Sequence, residues 1–77
     1  MKQDGLSFET AIIIKASNES EGVRAEYQWL EQHYPGYTAT RQKLRSSDSF
    51  RYDIIEIETS EGQKISIYFN INSFFGK

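Results

Sequence analysis

Hydrophobic positions in the second half of the chain alternate. Ile55 and Ile57 precede the polar stretch Ser60-Glu61-Gly62, and Ile65, Ile67, Phe69 and Ile71 follow it at every second position. A period of two bounded by a glycine turn predicts a β-hairpin, with Gly62 at the place in a three-residue loop that needs positive φ. The implied register sets Ile57 opposite Ile65, Ile55 opposite Ile67 and Glu58 opposite Lys64. Its strands span Phe50 to Thr59 and Lys64 to Ile71. Isoleucine pairs then share one face, and an ion pair lies on the other.

Between residues 18 and 34 the period changes. Val23, Tyr27, Leu30 and Tyr34 recur at spacings of four, three and four, one apolar stripe on a helix. Asn18 is read as the N-cap and Glu21, three residues on, as the partner in a capping box. Glu19 and Glu21 add negative charge at the positive end of the helix dipole. Pro35-Gly36 stops the helix. Upstream, Ser7 to Ala16 reads as a strand whose three consecutive isoleucines, Ile12 to Ile14, suggest burial on both faces. Tyr37 to Arg45 is a weaker, threonine-rich and basic strand expected near an edge, and Ser46 to Ser49 a polar turn. The tail, Asn72 to Lys77, holds Phe74 and Phe75, an apolar pair expected to fold back over a sheet edge or the core rim.

These elements predict an α+β fold in the order β-α-β-β-β, with one helix packed on a four-stranded, mainly antiparallel sheet. The first strand can lie beside the fourth or insert between others, and periodicity does not choose.

Seventy-seven residues correspond to one domain, residues 1–77, near the lower size for a single unstapled core. Without cysteine there is neither a disulfide framework nor a thiolate zinc site, so stability rests on packing, to which 14% aromatic residues contribute. A formal charge of −2 argues against bulk affinity for nucleic acid or anionic membrane. The longest aliphatic run, Ala11 to Ile14, is far below the length of a membrane span or a signal peptide, and a cytoplasmic location is the default.

Alternation also defines a second sheet face, turned away from the helix. It carries Tyr52, Ile54, Glu56, Glu58, Ser66 and Tyr68; if the second strand pairs through the serine turn, Arg41 and Lys43 join it beside Glu56 and Ile54. Aromatic rings among cations can form a recognition platform. Cross-strand pairing on a solvated face is the simpler account. Basic residues 41 to 51 (Arg41, Lys43, Arg45, Arg51) precede the acidic group Asp53, Glu56, Glu58 and Glu61, which complementary neighbouring strands explain without a ligand. His33, the only histidine, sits at the helix C-terminus, where a cation complements the dipole. No nucleophile–base pair, metal-ligand spacing or phosphate loop is recognisable, so no catalytic residue, metal or cofactor is assigned. Asp53 is the one carboxylate on the apolar face. Trp29 flanks the helix stripe with Ala25 and His33 and is expected to seal the helix edge.

The stretch Tyr34-Pro35-Gly36-Tyr37, then Tyr52-Asp53-Ile54-Ile55-Glu56-Ile57, then Ser60-Glu61-Gly62-Gln63-Lys64-Ile65-Ser66-Ile67-Tyr68-Phe69 resembles PepSY-like modules across residues 24–70. Those modules share a helix ending in an aromatic-Pro-Gly turn and a hairpin of this form. This chain departs from them in the strand before its helix and in ending Phe-Phe-Gly-Lys. The resemblance implies a non-catalytic binding or inhibitory module and supplies no functional residues.

The expected function is therefore a small non-enzymatic interaction module. It would bind a protein partner or a second copy through Arg41, Lys43, Tyr52, Ile54 and Tyr68 of the outer face and through Phe74 and Phe75. The alternative is single-stranded nucleic-acid binding, with Tyr52 and Tyr68 stacking on bases and Arg41, Lys43 and Arg51 on phosphates.

Overall fold

The computed structural model describes residues 4–76, so the first three residues, and Lys77 of the tail, lie outside the described residues. The chain runs β1 (Ile12–Ile13), α1 (Glu19–His33), β2 (Thr38–Ser47), β3 (Phe50–Glu58) and β4 (Lys64–Asn70). The strands form one mixed, mostly antiparallel sheet in the order β1-β4-β3-β2, with α1 on one face.

The β3–β4 hairpin adopts the register that its alternation predicts: Ile57 pairs with Ile65, Ile55 with Ile67 and Glu58 with Lys64. Thr59 and Gln63 close the loop, and Gly62 takes φ 88°. Ile55, Ile57, Ile67 and Phe69 are fully buried beneath Leu30 of the helix. Each such side chain contributes on the order of 1.5–3 kcal/mol of transfer free energy before conformational entropy is charged against it.

The helix begins as its sequence indicates. The Asn18 side chain accepts from the Glu21 N–H at 3.0 Å. Glu21 reaches back one residue further than a standard capping box, accepting from the Ser17 N–H at 3.1 Å. The rotation of α1 differs from the expected stripe. Gly22, Glu26 and Leu30 form its innermost line; Tyr27 and Tyr34 flank it half-buried, and Val23 is exposed. The reason is what lies opposite. The ring of Phe74 occupies the space over Gly22, and Asp53 of β3 meets Glu26. Trp29 seals the other flank, edge-on to Phe69 at 5.7 Å and stacked on His33.

Two further expectations are corrected. The first strand is not an interior strand from residue 7 to 16. It is two residues long, lies parallel to β4 at an edge of the sheet, and leaves Ile13 half exposed. Upstream, the Ser7 and Thr10 hydroxyls bond each other and Ser7 Oγ accepts the Thr10 N–H, folding the chain into a turn in competition with a strand ladder. The serine turn is also tighter than expected. β2 continues to Ser47, and only Asp48 and Ser49 lie outside the strands, both at positive φ (50° and 69°), as a two-residue type I′ connection requires.

Candidate functional site

The second face of the sheet brings its residues together as alternation implies. Arg41 pairs with Glu56, Lys43 with Ile54 and Ile54 with Tyr68. Lys43 Nζ lies 2.8 Å from Glu56 Oε2, and this contact holds the Glu56 carboxyl below its usual range. The face is nevertheless not the open platform expected. The loop before β1 covers part of it: the Gly5 carbonyl accepts the Tyr68 N–H at the β4 edge at 2.6 Å, and the Phe8 ring packs edge-on against both Tyr52 and Tyr68, 4.9 Å from each. Tyr52 and Ile54 are each only 7% exposed; Tyr68 is half-buried. Arg51 is absent from this face. It pairs with Ser46 on the helix side, donating to Ser46 Oγ at 2.8 Å. The parity of Arg51 against Tyr52 carries that signal, whereas the run of basic residues hides it.

At the C-terminus the two phenylalanines divide. Phe74 is buried against Gly22 and the core, whereas Phe75 remains 37% exposed with the Arg51 guanidinium 5.3 Å above its ring. Ser73 fixes this turn to the end of β1, donating to the Ile14 carbonyl at 2.7 Å and accepting from the Ala16 N–H. Asn72 accepts the Arg51 N–H.

The solvent-accessible features gather along β2. It is the outermost strand, and all its residues except Lys43 and Ser47 are exposed. Its outer row holds Arg41, Lys43 and Arg45; its helix-side row holds Gln42 and Leu44. Thr40 bulges out of register and donates its hydroxyl to the Glu56 carbonyl at 3.2 Å. A cleft of about 430 Å³ runs between this strand and the start of α1, walled by Val23, Leu44, Phe74 and Phe75, with Gln42 and Asp53 among its lining. Val23, Leu44 and Phe75 are the exposed apolar residues of that wall. A second cleft, of about 300 Å³, lies on the other face between Phe8, Ile13, Phe50 and Tyr52.

Behind the first cleft is a buried pair of acids. Glu26 is fully buried, and neither of its oxygens accepts a hydrogen bond from a described donor. Burial, then the hydrogen bond to Asp53, then the charge of Asp53 push the Glu26 carboxyl up to about 9, so at neutral pH it is protonated and donates to Asp53. Asp53 also accepts from Gln42 Nε2 at 2.7 Å. The helical spacing Gly22-Glu26-Leu30, set against Asp53 on the apolar strand face, is the signal that could have revealed this pair. With Glu26 donating to Asp53 and Asp53 accepting from Gln42, the pair joins α1 to β2 and β3 as a packing feature. Among the described residues no three metal-ligating side chains cluster, and no helix is long and apolar enough to cross a membrane. His33 Nδ1 lies 2.9 Å from the Trp29 carbonyl of its own helix.

No family model, curated protein or solved structure matches the chain.

Proposed function

We propose that the chain is a small non-enzymatic interaction module that docks another protein along β2. The observation that carries this reading is the free edge of that strand. Thr38–Ser47 is hydrogen-bonded to β3 on one side, no other strand of the described residues pairs with it, and most of its residues are exposed. An unpaired edge offers a row of main-chain donors and acceptors to an incoming segment. The adjoining cleft adds apolar surface from Leu44, Val23 and Phe75. Arg41 and Lys43 flank this strand on the outer face and Phe75 on the helix side; Tyr52, Ile54 and Phe74 support the two faces from within.

The nucleic-acid reading draws less support. Of its two stacking rings Tyr52 is buried under Phe8, and of its three cations Arg51 lies on the opposite face. The reading assigns no catalytic group. Its test is a photo-crosslinking residue placed at Leu44 or Phe75, with Glu61 in the hairpin turn as control, in cells that produce the protein. Adducts with a different polypeptide from the first two positions and not from the third are expected. Adducts with the chain's own copies alone would replace the reading with a homodimer, and an absence of adducts at both positions would refute it.

A further inference from the structure

We infer that the occupant of the β2 edge is an extended, acidic protein segment that adds as a further strand, with carboxylates at alternate positions and apolar residues between them. This rests on the reading that β2 is the docking edge and specifies its partner. Cross-strand neighbours share a face, so a strand laid beside β2 sets one set of its side chains against Arg41, Lys43 and Arg45 and the other against Gln42 and Leu44. The first row is basic throughout. Glu56 of β3 already engages Lys43 and lies beside Arg41, whereas Arg45 is paired in register with Tyr52, and its guanidinium donates to the Leu44 carbonyl at 2.9 Å and to no carboxylate of the described residues. The second row opens onto the apolar wall formed by Leu44 with Val23 and Phe75. The alternating complement of these two rows is an acidic–apolar repeat. The bulge at Thr40 interrupts regular pairing, so the usable run is residues 41–47.

The same charges disfavour a second copy on this edge. Antiparallel self-pairing about a two-fold axis centred on Lys43 would place Arg41 opposite Arg45 and Lys43 opposite its own equivalent, and like charges directly across a ladder are destabilising. A phosphate chain would meet the cations but leave the main-chain edge and the apolar row unused, with Glu56 and Glu58 on the same face.

The test uses the full chain and three synthetic peptides, titrated while amide NMR shifts are followed. The first alternates Glu and Val, the second alternates Lys and Val, and the third is the Glu/Val peptide N-methylated at every second amide, made in both phases. At low salt the Glu/Val peptide is expected to bind about tenfold more tightly than the Lys/Val peptide, with shifts along residues 41–47. At least one methylated phase loses binding, because it blocks the edge hydrogen bonds. Arg41→Glu/Arg45→Glu, two exposed changes, is expected to reverse the preference. Equal affinity for both charges, or full binding by both methylated phases, would overturn the inference. If crosslinks at Leu44 capture a protein while the acidic peptide shows no advantage, the partner chemistry is wrong and the docking edge stands. If neither is seen, both fail. A concentration-dependent dimer that shifts the same amides, or a single-stranded oligonucleotide that outcompetes the Glu/Val peptide, overturns it in favour of those occupants.

Discussion

Gly22 lies directly beneath the ring of Phe74, so that a methyl group added at Gly22 would collide with the Cζ and Cε atoms of that ring. A glycine inside a helix ordinarily costs about 1 kcal/mol relative to alanine. Here the missing side chain lets the C-terminal turn close over the first turn of α1. Gly22→Ala therefore trades a local gain for a steric conflict in the core. A net loss of about 1–3 kcal/mol is expected, as for overpacked sites. Urea unfolding measures it, and in the background of Phe74→Ala the alanine at 22 is expected to be neutral or stabilising. Equal effects in both backgrounds would show that the two residues are not coupled.

The Glu26–Asp53 pair makes stability depend on pH. Glu26 holds its proton up to about 9 in the folded chain, against 4.5 ordinarily. Because the folded value is the higher one, the stabilisation is complete below about pH 4.5 and is lost as pH rises through about 9. Stability should thus fall between these limits, by at most about 1.4 kcal/mol per pH unit. Urea midpoints at pH 5, 7 and 9 give the slope. Glu26→Gln, which keeps the shape and a donor toward Asp53, should flatten it and be the more stable form at pH 9. A wild-type midpoint independent of pH would contradict the assignment.

The β2–β3 connection uses Asp48 and Ser49 at positive φ, where glycine and asparagine are preferred. Asp48→Asn with Ser49→Gly should therefore stabilise the domain by about 0.5–1 kcal/mol, raising the thermal midpoint with no change in amide shifts outside the hairpin. Unchanged or reduced stability would mean that the native side chains support the turn in another way.

Phe8 secures the loop before β1 by edge-on contacts with Tyr52 and Tyr68. Ring pairs of this kind contribute about 0.5–1.5 kcal/mol each beyond area burial. Phe8→Ala should cost about 1–3 kcal/mol in total and speed exchange of the Tyr68 amide, which donates to Gly5 in the same loop. If Tyr68 exchange does not change, the loop is held by its backbone bonds and not by the ring.

Much of the fold is legible in the amino-acid sequence. The β3–β4 register, the pairing of Arg41 with Glu56, the cap at Asn18 and the stop at Pro35-Gly36 all follow from short-range rules: side chains alternate along a strand, and particular residues satisfy helix ends or turns. What the tertiary structure alone decided involves distant partners. Three isoleucines at 12 to 14 read as an interior strand, yet they form an edge because residues 4–10 bond locally and Phe8 finds Tyr52 and Tyr68. The rotational phase of α1 is set by Phe74 and Asp53, which lie 52 and 27 positions beyond Gly22 and Glu26. That rotation buries a carboxyl group where the apolar stripe predicted Val23. On the outer face Phe8 packs onto Tyr52 and Ile54 is buried, which shifts the accessible surface to β2. Periodicity fixes which residues share a face; what covers that face depends on contacts between segments far apart in the chain.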